Sequence, residues 1–243
     1  MNGSIWLYIL AGFCAQLVDG ALGMGYGVTA SSLLAAFGVP PATRSATVHA
    51  AETFTTGFSM VSHHYFGNID RQLFRRLLLP GVIGAILGAY LLSSLPGESL
   101  RPYISAYLLA MGAIIIFKAF RTFPPANVTS HLGPLGFLGA LLDAIGGGGW
   151  GPIVASNLIM RGHDTRKTVG TVNAVEFFVT FAATITFVLT IGLSHWKVIA
   201  GLAIGGAVAA PLGAYLCRHV PPKPLMLMVG TLIVVLSLNV LLR

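Results

Sequence analysis

The sequence is written twice along the chain. Asp19 and Asp143 stand 124 residues apart, and at that offset the first half falls onto the second. Gly12-Phe13 lands on Gly136-Phe137, and Gly23, Gly25 and Gly27 land on Gly147, Gly149 and Gly151. Thr47-Val48, Ala50, Glu52 and Thr56 land on Thr171-Val172, Ala174, Glu176 and Thr180. After one extra loop residue the offset is 125, and Gly88-Ala89-Tyr90-Leu91 lands on Gly213-Ala214-Tyr215-Leu216. Chance similarity between apolar helices scatters Leu and Ala matches. It does not align two acids and three glycines per half at fixed spacing, so the chain reads as two repeats, 1–122 and 123–243, in one domain.

Charge decides the solvent. Only 9 % of the 243 residues are charged, against about a quarter in a soluble domain. That excludes a disordered chain, a disulfide scaffold and a nucleic-acid module. Apolar runs between charged or turn-rich breaks give eight segments: Ile5–Phe37, Ser45–Phe66, Leu73–Leu95, Leu100–Phe120, Leu132–Met160, Thr168–Ile191, Trp196–Cys217 and Leu225–Leu242. A bilayer core of about 30 Å takes about 20 helical residues, which suits six of them. A helix from Ile5 to Phe37 would run about 50 Å. This segment and the fifth are interrupted by glycine clusters, Gly20 to Gly27 and Gly146 to Gly151. Each is expected as two half-helices joined by unwound backbone, either a broken span or a re-entrant hairpin. The fold class is therefore an all-α polytopic membrane protein of two four-segment repeats. No basic stretch precedes the first apolar run, so no cleaved signal peptide is expected.

Fourteen Lys and Arg against seven Asp and Glu give +7. The basic residues read as rim and headgroup anchors. The loop after the first segment holds Arg44, while its second-half equivalent holds Arg161, Arg166 and Lys167. The next loop reverses the bias, with Arg71, Arg75 and Arg76 against Lys197. Under the positive-inside rule the two halves should lie inverted. An odd number of crossings per half is then required, and a re-entrant glycine segment supplies it. Cys14 and Cys217 read as small packing residues, Tyr90 and Tyr215 as helix-packing positions, and His63-His64 as interfacial.

Four of the seven acids lie inside apolar segments: Asp19, Glu52, Asp143 and Glu176. An ionisable group there costs at least about 2.5–3.5 kcal/mol, so it should be paired, enclosed or lining a wet cavity. Asp19 and Asp143 each precede a glycine run that ends at Gly27 or Gly151. Unwound glycine backbone frees N–H groups, and a half-helix beginning after it turns its positive end inward, which together suit an anion. The Asp would cap the second half-helix or accept from loop amides. The plainer reading of the glycines is close helix packing. No strand precedes either run, which argues against a dinucleotide loop.

His49 and Asn173 stand three residues before Glu52 and Glu176, on the same helix face; Thr47 and Thr171 stand two residues earlier still. A buried Glu or His can carry a coupled proton, and a structural bracing role for the two Glu is the alternative. Thr47, Thr171 and Asn173 are neutral donors suited to an anion's oxygens, at a depth that the sequence leaves without Lys or Arg. Asn in place of His leaves too few ligands for a metal, and no cofactor is implied. Tyr26 and Trp150 occupy equivalent positions within the glycine runs, as walls, gates or packing.

The repeat, the Gly-Phe-x5-Asp approach to each glycine run, the cluster Gly146 to Gly149 with Trp150, Gly151 and Pro152, and Thr47 and Thr171 together resemble the TauE/SafE family of sulfite or organosulfonate exporters. The resemblance covers essentially the whole chain. The first-half run departs from it, with Val28 where the second has Pro152. It implies a carrier for small sulfur-containing anions, coupled to a proton or a gradient, in the plasma (bacterial inner) membrane. The expected site holds the anion between the two glycine loops, with Gly23, Gly25, Tyr26, Gly27, Thr47, His49, Gly147, Gly149, Trp150, Gly151, Thr171 and Asn173 as contacts. Glu52, Glu176, Asp19 and Asp143 serve protons or structure. The alternative is a cation/proton antiporter or channel using the buried acids. An intramembrane enzyme is disfavoured, because no Ser/His or metal set converges. The partners expected are a small organic or inorganic anion and the lipid bilayer, with no nucleic acid; a homodimer is left open.

Overall fold

Caps and breaks in the sequence set the helix ends. Pro41 and Pro222 open helices at a position where no N–H is needed. The Asp70 carboxylate accepts from the Gln72 and Leu73 amides at 2.8 and 3.0 Å, and the Asp164 carboxylate accepts from the Lys167 amide at 2.7 Å, each satisfying orphan donors of a first turn. The computed structural model describes residues 4–95, 97–121, 128–217, 219 and 221–242. Its helices are α1 (Ile5–Leu22), α2 (Tyr26–Ala36), α3 (Pro41–Tyr65), α4 (Arg71–Ser94), α5 (Gly97–Lys118), α6 (Leu132–Gly146), α7 (Gly151–Met160), α8 (Thr165–Thr190), α9 (Trp196–Leu216) and α10 (Pro222–Leu241). The expected boundary at 122/123 lies outside the described residues.

Among the described residues α1, α4, α8 and α9 are long and apolar enough to cross a membrane, and α2, α6 and α7 are shorter apolar helices. The two overlong segments break where the glycines are, between α1 and α2 and between α6 and α7. With 11 residues α2 is about 16 Å long, too short to span the hydrocarbon core.

Glycines let backbones touch. α1 lies along α9, α4 along α6, α3 crosses α8, and α5 pairs with α10. Gly12 abuts Leu202 and Gly136 abuts Leu77; Gly213 abuts Gly20 and Gly88 abuts Ala144. In the Gly-Ala-Tyr-Leu stretches the glycine makes the contact, and the tyrosine two residues on falls on another face of the helix. Tyr90 and Tyr215 are accordingly exposed, not packed as the sequence suggested. Cys14 is exposed as well.

Polarity runs inside out. α3 buries Arg44, Ser45, Thr47, His49, Glu52, Thr55, Thr56, Ser59 and His63, while Val61, Tyr65, Leu79 and Leu189 face outward. Two sequence expectations need correction here. Arg44 lies within the first turn of α3, not in a loop, and is 1 % exposed; Lys118 is 7 % exposed. His63 is buried and bonded to the Asn68 amide at 3.0 Å, because its face of α3 turns inward while His64 turns outward.

Arg76, Arg161 and Lys167 gather at one rim. Lys167 Nζ donates to the Gly67 carbonyl at 2.9 Å, Arg76 to Thr129 O at 2.8 Å, and Arg161 to Ser130 O at 2.9 Å. The loop after α3, the loop after α7 and the segment before α6 therefore meet. The chain leaving α7 returns beside the start of α6.

Candidate functional site

The two chain breaks are built alike. Each first half-helix ends on a glycine in the left-handed region, Gly23 at φ 67° and Gly147 at φ 75°, whose amide returns to the carbonyl of Asp19 or Asp143. Each Asp then reaches past the loop with its side chain. Asp19 Oδ1 accepts the Tyr26 amide at 3.4 Å, and Asp143 Oδ1 accepts the Trp150 amide at 2.9 Å. The carboxylates fix the loops and satisfy donors at the start of α2 and α7.

The loops meet. A Cβ on Gly27 would stand 2.8 Å from Gly148 Cα, and one on Gly148 would overlap the Gly27–Val28 peptide. Gly151 lies against Gly23 and Met24. Only glycine permits this approach, and Gly148 at φ 143° needs it for its backbone too. Gly27 and Gly148, and Gly23 and Gly151, are thus brought together backbone on backbone, while Gly25 lies against Val18 and Val229, Gly147 against Ser31 and Ser45, and Gly149 against Tyr107. Tyr107 of α5 closes over Gly146 and Gly149.

α3 and α8 supply the walls. Thr56 Oγ1 and Thr180 Oγ1, equivalent positions 124 residues apart, meet at 3.4 Å. On one side His49 Nε2 lies 3.0 Å from Asp143 Oδ2, its Nδ1 faces Ser45 O at 2.9 Å, and Ser45 Oγ donates to Ala144 O at 2.6 Å. Ser31 Oγ donates to Gly146 O at 3.2 Å. On the other side Asn173 Nδ2 donates to Val169 O at 3.2 Å and reaches Asp19 O at 3.5 Å, while its Oδ1 accepts from Ser59 at 2.7 Å. Ser31, Ser45, Ser59 and Tyr107 were not found by sequence reasoning. Hydroxyls scattered through apolar helices carry no spacing signal.

Glu52 lies against Gly27 and its amide, and Tyr26 turns toward Glu52 and Thr55. Asp19, Glu52, Asp143 and Glu176 lie within electrostatic reach of one another. Among the described residues no three His, Cys, Asp or Glu converge to hold a metal ion. The expected threonines do not join the group. Thr47 Oγ1 donates to Thr43 O at 2.7 Å within its own helix, and Thr171 Oγ1 accepts the Asp70 amide at 2.7 Å, bracing the loop before α4. Trp150 spends its indole N–H on Val172 O at 3.1 Å.

The halves differ in what is left unpaired. Among the described residues, both amide atoms of buried Gln16, Asp19 Oδ2 and Glu52 Oε2 have no hydrogen-bond partner. Gln16, Tyr26 and Thr55 stand where the second half has Ala140, Trp150 and Val179, and there only Glu176 Oε2 is left over among the equivalents. Buried polar atoms are normally satisfied, so the unfilled hydrogen-bonding capacity concentrates on the first-half side.

Discontinuous helices meeting at depth, around buried carboxylates and within an apolar helical shell, are the construction of a membrane carrier. The chain belongs to the family described as "Sulfite exporter TauE/SafE", whose model matches residues 8–240. It is 42 % identical to "Probable membrane transporter protein YtnM" of Bacillus subtilis (strain 168), over 98 % of this chain and 82 % of that one. It is 26 % identical to "Probable membrane transporter protein ORF9" of Sinorhizobium sp, over 84 % and 80 % of the two chains. No solved structure matches it. The chain is an integral membrane transporter and not an enzyme.

Proposed function

We propose that this protein is a secondary transporter exporting a small sulfur-containing anion, sulfite or a C2 sulfonate, across the plasma membrane with proton coupling. The observation that carries this reading is the pair of glycine loops, each pinned by its own Asp and pressed against the other at the starts of α2 and α7. When the loops part, the amides they expose are donors at the positive ends of two half-helices, and these suit an oxyanion. Arg44, one residue from Ser45 beside Gly147, adds a buried cation on the same side. His49 and Asn173 flank the loops as contacts, and Glu52 and Glu176 carry protons.

The halves are inverted repeats on this reading. Support comes from contacts that exchange partners under the repeat, α1 with α9 against α6 with α4, and from the Thr56–Thr180 meeting of equivalents. The return of Arg161 to Ser130 fits a re-entrant α6–α7 pair.

The test is flux of radiolabelled sulfite and a C2 sulfonate in proteoliposomes, with and without a pH gradient. Absence of flux in every condition refutes the anion reading. The unpaired oxygens of Asp19, Glu52 and Glu176 favour a second reading, a cation/proton antiporter. Glu52→Gln and Glu176→Gln separate the two: an anion carrier keeps substrate binding and loses its response to the pH gradient, whereas a cation carrier loses its ligand.

A further inference from the structure

The outer surface of α3, α4 and α8 carries a cavity of about 440 Å³ that the transport site does not use. Its floor is Met60, Val61, Phe74 and Phe178, and its rim is His64, Arg71 and Arg75. Phe74 and Phe178 meet edge to face at 5.9 Å and hold the floor open. Val61 is 63 % exposed, so the cavity opens sideways into the apolar surroundings of the helices and not toward the glycine loops.

The charges over it are unspent. Of the rim cations, Arg76, Arg161 and Lys167 give their hydrogen bonds to backbone carbonyls. Among the described residues Arg71 and Arg75 have no such partner. They lie one turn apart on α4, where like charges repel. A planar guanidinium binds a phosphodiester in a bidentate fashion, and two of them above an apolar groove match a molecule with an anionic head and a hydrocarbon tail. A soluble anion would use the rim and leave the groove empty; a zwitterionic lipid would fill the groove and leave one positive excess unanswered.

We propose that this groove binds one anionic phospholipid, its phosphate between Arg71 and Arg75 and an acyl chain along Met60, Val61, Phe74 and Phe178. The lipid would seat the ends of α3 and α4 against α8 at the basic rim. This proposal does not depend on what the protein transports.

Native mass spectrometry and thermal unfolding of the full chain in detergent test it, with phosphatidylglycerol, phosphatidylcholine and inorganic phosphate as probes. Phosphatidylglycerol is expected to stay bound in preference to phosphatidylcholine and to raise the unfolding temperature. That preference falls about fivefold for each Arg removed in Arg71→Gln and Arg75→Gln. Val61→Trp, which fills the groove and keeps both charges, also displaces the lipid. Arg76→Gln, whose guanidinium is held by Thr129, leaves the preference unchanged. Equal retention of both lipids overturns the proposal, as does full stabilisation by inorganic phosphate alone. If the double Arg variant does not fold, unchanged phosphatidylglycerol binding in Val61→Trp overturns it independently.

Discussion

His49 reaches across from α3 to place its Nε2 3.0 Å from the outer oxygen of Asp143, whose inner oxygen already holds the Trp150 amide. The equivalent Asp19 has no such second partner. Asn173 stands where a second histidine would and touches only the Asp19 backbone carbonyl, so Asp19 Oδ2 is unpaired and its grip on Tyr26 is the longer one, at 3.4 Å. The Asp143 carboxylate is held at both oxygens and the Asp19 carboxylate at one.

This difference has a measurable consequence. Local opening follows the weakest tertiary restraints, so hydrogen exchange should be faster for the peptide covering Gly23 to Gly27 than for the one covering Gly147 to Gly151. Equal protection of the two would show that the His49 contact does not govern loop stability.

Removing the histidine should bring the second loop down to the level of the first. His49→Ala leaves a carboxylate oxygen of Asp143 buried and unsatisfied, which costs about 1–3 kcal/mol. The expected result is a lower unfolding temperature in detergent together with faster exchange at Gly147 to Gly151. Exchange at Gly23 to Gly27 should change little.

What the sequence made legible was whatever the duplication repeats. The Asp-to-aromatic spacing, the glycine breaks and the buried Glu pair occur twice at one offset, so each copy supported the other. Arg44 was misplaced because a residue near the edge of an apolar run looks the same whether the helix ends there or continues inward. Thr171 was assigned with Thr47 because their positions match; its hydroxyl instead serves the Asp70 amide, a partner set by the path of the loop before α4 and not by the repeat. Tyr107 closes over the second glycine loop from α5, where its counterpart at offset 125 is Leu232. Contacts that break the symmetry cannot be read from the symmetry.

Gln16 is one of those exceptions, and its role separates stability from transport. Its amide is fully buried with both atoms unpaired, so Gln16→Leu removes an unsatisfied group while conserving volume. Stability should rise by about 1–3 kcal/mol, while flux in proteoliposomes falls, because unfilled hydrogen-bonding capacity is removed from the first-half side of the site and position 16 becomes as inert as Ala140. A fall in stability would show that the amide is satisfied in the folded protein.

The contact between the loops predicts a sharp contrast between two glycines. Gly38 has φ 78° and open space around it, so Gly38→Ala carries only the backbone cost of about 1–2 kcal/mol. Gly148 has φ 143° and the Gly27–Val28 peptide where a methyl would go. Gly148→Ala adds overpacking to backbone strain, each about 1–3 kcal/mol. Its unfolding temperature should drop well below that of Gly38→Ala, and its transport should be lost.

The last prediction concerns orientation. Lys167 ties the first turn of α8 to the loop after α3, so Gln72→Cys and Arg166→Cys, both at exposed positions, should react with a membrane-impermeant thiol reagent from one side. Gly38→Cys and Ser194→Cys, at the loops before α3 and after α8, should react from the other side if α3 and α8 each cross once. The background is the chain carrying Cys14→Ala and Cys217→Ala, since Cys14 is exposed. Positions 38 and 166 lie within four residues of equivalence, at the joins α2–α3 and α7–α8, and positions 72 and 194 likewise at the joins α3–α4 and α8–α9. An inverted pair of repeats labels 38 and 166 from opposite sides; a parallel pair labels them from the same side. Because the comparison is made between equivalent positions within one protein, it separates the two arrangements without reference to the transported molecule.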